Sequence, residues 1–213
     1  MIPLTLQFKE IGIDDIPKVG GKNASLGEMI RNISKLGIHV PQGFALTTQS
    51  YWLFIERNKL KDPIQKRLNK LENGDLTLEQ TGKKIRKLIL SGQMPEEIIN
   101  EVRQAYSDLC HSAKKEKINV AVRSSATAED LPDASFAGQH ESYLNVKGFN
   151  NLIGACQKCL ASLFTDRAIT YRTLNKIDHM KVALSVGVQM MVKASSSCSG
   201  VMFSIDTETG FPD

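Results

Sequence analysis

Two cations stand in stretches of this sequence that are otherwise built of small residues. Lys22 follows Gly20-Gly21 where helical periodicity begins, and Arg123 follows the short, β-branched run Ile118-Asn119-Val120-Ala121-Val122. Residues 124–139 are then mostly Ser, Ala, Thr, Asp, Gly and Pro, and a loop of that length is usually functional or disordered. A fixed cation beside hydroxyl and amide donors, with no bulk to keep oxygens away, suits an anion such as phosphate. Paired glycines ahead of a helix let a ligand approach the backbone, and a helix start offers free N–H groups. Each feature also has a structural explanation. A Gly-Gly-Lys turn without the G-x-x-x-x-G-K-[ST] spacing is no P-loop and serves as a plain helix entry. Arg123, at the end of its strand, could instead cap a helix or pair with Glu129 or Asp130 in a surface excursion.

Other reactive side chains form no familiar constellation. Cys156 and Cys159 have zinc-like spacing, but they fall inside helical periodicity without a second pair, so two packed small hydrophobes explain them better. Cys110 and Cys198 are isolated, and His39, His111, His140 and His179 are scattered. No G-x-S-x-G elbow is present. His140 reads as a strand histidine rather than a catalyst. Met190 and Met191 are either core or the edge of a slot for a flat ring such as adenine.

The elements that must carry these residues can be read in order. A strand at residues 5–8 precedes a helix at about 22–36, closed by Gly37. An extended segment follows, and Thr47 or Thr48 caps a helix through residues 51–55. Residues 59–117 are mainly helical and charged, with a Thr77/Gln80 capping box and a helix start at Pro95-Glu96-Glu97 running to about Ala113. This segment is expected to cover the site. A strand at 140–146, one long helix at 149–174, a buried strand at 181–192 and a last strand at 200–205 complete the pattern. Residues 206–210 form a turn.

Composition narrows the class. At 213 residues, 41% hydrophobic and 23% charged, the chain reads as soluble and globular. A net charge of +4, spread over helical segments, gives no nucleic-acid footprint. No signal peptide or membrane span is visible. Four cysteines are no disulfide framework and fit a reduced cytosol.

Four ordered motifs now carry a resemblance. They are Gly20-Gly21-Lys22-Asn23-Ala24-Ser25-Leu26-Gly27-Glu28-Met29, the stretch 121–139, Ala161-Ser162-Leu163-Phe164-Thr165-Asp166-Arg167-Ala168-Ile169, and Gly200-Val201-Met202-Phe203-Ser204-Ile205-Asp206. In order and spacing, over almost the whole chain, they resemble the N-terminal nucleotide-binding domain of the phosphoenolpyruvate synthase (pyruvate, water dikinase) family. Pyruvate, phosphate dikinase and rifampicin phosphotransferase belong to the same broader group. Leu163-Phe164-Thr165-Asp166-Arg167 and Val186-Gly187-Val188-Gln189 look most like the synthase branch.

The resemblance implies an α/β (α+β), ATP-grasp-like fold whose subdomains close on ATP. It implies a helical subdomain at roughly 48–117 and a strand-rich, ATP-contacting part at roughly 1–47 and 118–213. By position, Lys22 and Arg123 would contact the ATP phosphates. Gly138 would admit them to the loop backbone, and Ser142 would add a hydroxyl. Gln189 and the backbone near Met191 would line the adenine pocket. Mg²⁺ is implied, with its acidic ligands beyond residue 213, as are the phosphorylated histidine and the pyruvate site. The chain therefore resembles part of such an enzyme, cytoplasmic and homodimeric at full length, and is expected to be inactive alone. Two alternatives stay open: part of a rifampicin-phosphotransferase-like enzyme, and a non-catalytic nucleotide-binding protein.

Overall fold

The computed structural model of the protein describes residues 2–127, 130–131, 134–135, 141–193, 198–203 and 205–211, with the backbone alone at 130–131 and 134–135. Its elements in chain order are β1 (Thr5–Gln7), α1 (Ile16–Ile33), β2 (Gly43–Leu46), α2 (Thr48–Arg57), α3 (Lys61–Glu72), α4 (Leu78–Ser91) and α5 (Glu96–Ser112). There follow β3 (Asn119–Ala126), β4 (Asp130–Leu131), β5 (Ala134–Ser135), β6 (Ser142–Lys147), α6 (Phe149–Ser162), α7 (Asp166–Leu174) and β7 (Leu184–Met190). Five strands form one sheet in the order β1-β2-β7-β3-β6, every pairing antiparallel. β4 and β5 pair separately. The class is therefore mixed α and β with an antiparallel sheet.

Because strand side chains alternate between faces, the sheet has two different sides. Phe44, Leu46, Val120, Val122, Val186 and Val188 point into a large core shared with α2 to α7. Ala45 points the other way, into a smaller core with Phe8, Ile11, Val19, Ala24 and Ile30. That second layer is essentially α1. Polar contacts seat α1 on the segment before it: Ile13 N donates to Glu28 Oε1 at 3.0 Å, and Arg31 Nη2 donates to the Glu10 carbonyl at 2.7 Å. At Gly27 a Cβ would come within 2.3 Å of the Ile11 carbonyl.

Several local expectations hold. The Thr77/Gln80 box is formed in both directions, and α5 runs from Pro95 as N-cap to Ala113 as C-cap. Gly37, in the left-handed region at φ 80°, closes the 3-10 turn Ser34–Leu36 that ends α1. Thr47 stands at the N-cap of α2, but its hydroxyl donates to the Pro3 carbonyl at 2.6 Å instead of capping the helix.

Other expectations are corrected. α1 begins at Ile16 and is interrupted at Gly20, whose φ of 72° and ψ of 162° are non-helical. The single helix expected over 149–174 is two. Thr165 turns extended and its hydroxyl accepts from Ala168 N at 3.3 Å, which restarts the chain as α7. Leu163 and Phe164 stay fully buried across this break, so the apolar pattern runs on without showing it. β3 does not end at Arg123 but continues to Ala126, in unbroken register with β7. The helices of residues 48–112 pack on the sheet face opposite Arg123 and do not cover it. Residues 200–203 and 205 form no strand; Val201, Met202 and Phe203 are exposed. The turn beyond them is present, with Asp206 Oδ1 accepting from the Glu208 and Thr209 amides at 2.7 and 2.9 Å.

Candidate functional site

The register of β3 builds one side of the site. Arg123 lies opposite Ser142 of β6 on one flank and Gly187 of β7 on the other, while Gln189 lies opposite Ala121. Directly opposed residues of an antiparallel pair hold their Cβ atoms about 5 Å apart, and diagonal ones about 7–8 Å. Arg123, Ser142 and Gln189 therefore share one patch, on the side of the sheet away from the large core. Val122 is fully buried while Arg123 and Ser142 are exposed. Among the described residues, the Arg123 side chain has no ion pair or hydrogen bond. The proposed alternatives for it, Glu129 and Asp130, have side chains outside those described.

α1 supplies the other side. At Gly20 a Cβ would fall 2.3 Å from Ser125 Oγ and 2.7 Å from the Ser125 carbonyl, so the helix backbone rests directly on β3. Three residues later, Asn23 Nδ2 donates to Ser185 Oγ at 3.0 Å on β7. Ser125 and Ser185 are themselves a registered pair, two residues along from Arg123 and Gly187, which at about 3.4 Å per residue is about 7 Å. Lys22, exposed, lies between these two anchors. The stretch of α1 that carries Lys22 thus lies on the same side of the sheet as Arg123.

The far end of the patch holds the remaining candidates. Gln189 Nε2 donates to the Pro41 carbonyl at 3.1 Å, which fixes its amide at the sheet surface. Met191 N donates to the Asn119 carbonyl at 3.0 Å, extending the β7–β3 ladder by one residue. Its sulfur receives Asn145 N at 3.1 Å, where β6 bulges opposite Ala121. Met190 packs against the large core, while Met191 is half-buried. Gly138 and His140 lie outside the described residues.

Elsewhere, Cys156 and Cys159 are fully buried in the large core, and burial pushes the Cys156 thiol up to about 12. Among the described residues no His, Cys, Asp and Glu side chains gather into a metal-binding group. His39 and His111 are exposed. His179 accepts a hydrogen bond from Arg172 Nε at 2.8 Å. Sequence reasoning missed Asn23, Ser185 and Gly187, whose roles depend on which strand lies beneath α1. The one signal available was a glycine between Val186 and Val188 in the buried run of β7.

A family model described as the pyruvate phosphate dikinase AMP/ATP-binding domain matches residues 16–213. A phosphoenolpyruvate synthase of Aquifex aeolicus is 52% identical over 99% of this chain and 25% of its own length. Namesakes in Helicobacter pylori and Escherichia coli are 53% and 50% identical, over 97% and 98% of this chain and 26% of their own lengths. The chain spans about a quarter of the length of the curated relatives it matches. The sheet patch holding Arg123, Ser142 and Gln189, with α1 seated on it, lies within the matched residues, and the chain belongs to the pyruvate phosphate dikinase AMP/ATP-binding domain family.

Proposed function

We propose that the face shared by α1, β3, β6 and β7 binds ATP, its phosphates between Lys22 and Arg123 and its adenine toward Gln189 and Met191. The observation that carries this reading is the seating of the α1 stretch around Lys22 on the same side of the antiparallel ladder as Arg123, about a hundred positions away in the chain. Phosphoryl transfer asks a protein mainly for positioning and charge neutralisation. Lys22 and Arg123 supply the charge, the Ser142 hydroxyl is registered beside Arg123, and Gly138 would let the loop backbone approach. Met191 offers a polarisable surface to a flat ring.

The strand-rich part, roughly 1–47 and 118–213, is the nucleotide-contacting half of an ATP-grasp-like clamp, and the helical part, roughly 48–117, buttresses the sheet from behind. Its relatives' names support the reading that the whole enzyme would be a phosphoenolpyruvate synthase. It would convert ATP, pyruvate and water to phosphoenolpyruvate, AMP and phosphate, by way of a phosphohistidine on a domain outside these residues. Cytoplasmic location, gluconeogenic use and a homodimer belong to the same reading. Mg²⁺ would come with the nucleotide, but Lys22, Arg123, Ser142, Gln189 and Met191 include no carboxylate. A hard cation that needs several oxygen ligands does not fit that set.

Calorimetric titration with ATP tests the reading. A hydrogen bond to a charged group contributes about 1.5–3 kcal/mol, so Lys22→Ala and Arg123→Ala should each weaken ATP about tenfold or more. Unchanged affinity in both refutes the site. The 213-residue chain alone should consume no ATP in response to pyruvate.

A further inference from the structure

The bond that seats Lys22 is made by its neighbour. Asn23 is 2% exposed. Its Nδ2 donates to the Val19 carbonyl and to Ser185 Oγ, both at 3.0 Å, and Ser185 Oγ in turn donates to the Leu46 carbonyl at 2.6 Å. Its Oδ1 lies against Gly187, where a Cβ would approach to 2.2 Å. One side chain thus ties the start of the post-Gly20 helix to β7 and, through Ser185, to β2. Asn is a poor choice for a helix interior because its amide competes for backbone groups. Here the competition is used: the amide spans the Gly20 break through Val19 and reaches across to the sheet.

The rest of α1 is held by a small apolar core and by polar ties to the segment before it rather than to the sheet. Apolar contact is non-directional; it keeps a helix down without fixing where along the sheet it sits. A residue step in a helix is about 100° and 1.5 Å, so a small slide or roll would carry Lys22 off the Arg123 row. A misplacement of about 1 Å can cost as much as a lost contact.

We propose that Asn23 is a positioning residue: its hydrogen bond to Ser185 sets α1 in the register that places Lys22 beside Arg123 for a phosphate group. The proposal rests on the nucleotide reading above. Asn23→Ala removes the donor, and Ser185→Ala removes the acceptor from the opposite side without adding charge. Dissociation constants for ATP and for adenosine, which lacks phosphates, are measured in the wild type, in both variants, in Lys22→Ala and in each variant combined with Lys22→Ala. Circular dichroism and melting temperature report folding, and Ser185→Ala carries the test if Asn23→Ala does not fold. The expected result is a loss of about tenfold for ATP in each variant. Adenosine should be bound within about twofold of wild type, and the ATP loss should vanish in the Lys22→Ala background because both changes act on one contact. Equal losses for ATP and adenosine, additivity with Lys22→Ala, or unchanged ATP affinity in a folded variant overturns it. A wild type that binds adenosine as tightly as ATP removes the nucleotide-phosphate reading itself, and the positioning role with it.

Discussion

Arg172 is a fully buried guanidinium with no carboxylate partner among the described residues. Its Nε donates to His179 Nδ1, its charge sits 5.4 Å from the centre of the Phe164 ring, and Nη1 and Nη2 find no hydrogen-bond partner among the described residues. To accept that bond His179 must be neutral. Burial first, and then the adjacent Arg172 charge, push its pKa down to about 4, with Asp178 opposing weakly. The unfolded chain, with a histidine near 6.5, binds a proton that the folded chain refuses throughout the window between 6.5 and 4. Stability must therefore fall as pH is lowered through that window. His179→Gln keeps an acceptor and removes the titration. Its melting temperature should decline less than that of the wild type between pH 6.5 and 4. Parallel declines would show that the histidine does not stay neutral in the fold.

At the scale of elements, two joints decide where side chains end up. The first is Gly20. Its φ of 72° is open to glycine at little cost, and a Cβ there would meet the Ser125 carbonyl at 2.7 Å. Gly20→Ala combines strain in the left-handed region with a backbone clash, each worth on the order of 1–3 kcal/mol. Urea denaturation should show a loss of at least about 1 kcal/mol, and ATP binding should weaken as α1 lifts from β3. The second joint is Thr165, whose hydroxyl caps α7. Thr165→Ala should cost about 1 kcal/mol without changing nucleotide affinity, since α7 packs on the other side of the sheet. These joints also mark what the sequence reveals and what it hides. The termini of α5 and the Thr77/Gln80 box were legible because capping chemistry is local. β7 was legible as a buried apolar run. The continuation of β3 through Arg123-Ser124-Ser125 was not, because those polar residues are strand only by pairing with β7 and lying under α1. Lys22 and Arg123 announced themselves by standing among small residues. The bond between Asn23 and Ser185 spans 162 positions, and no local pattern encodes it.

Across the whole molecule the two layers are unequally secured. The large core joins four strands of the sheet to the helices from α2 to α7, while α1 rests on the other face through a small cluster and a few polar ties. A layer with little buried apolar area can open without the rest unfolding. Amides of α1 beyond Asn23 should accordingly exchange with solvent through an opening of lower free energy than those of β3, β7 and α6, although all lie in regular structure. If ATP bridges α1 and β3 as proposed, it should suppress that opening. Ligand at a hundred times its dissociation constant should raise the opening free energy of α1 by about 2.7 kcal/mol. Amides of α3 and α4, which pack on the other side of the sheet, should exchange as before. Hydrogen exchange followed by mass spectrometry, with and without ATP, reads both differences in one experiment. If α1 already exchanges only with the global unfolding of the sheet, the two layers form a single cooperative unit, and α1 is held on β3 by the whole core.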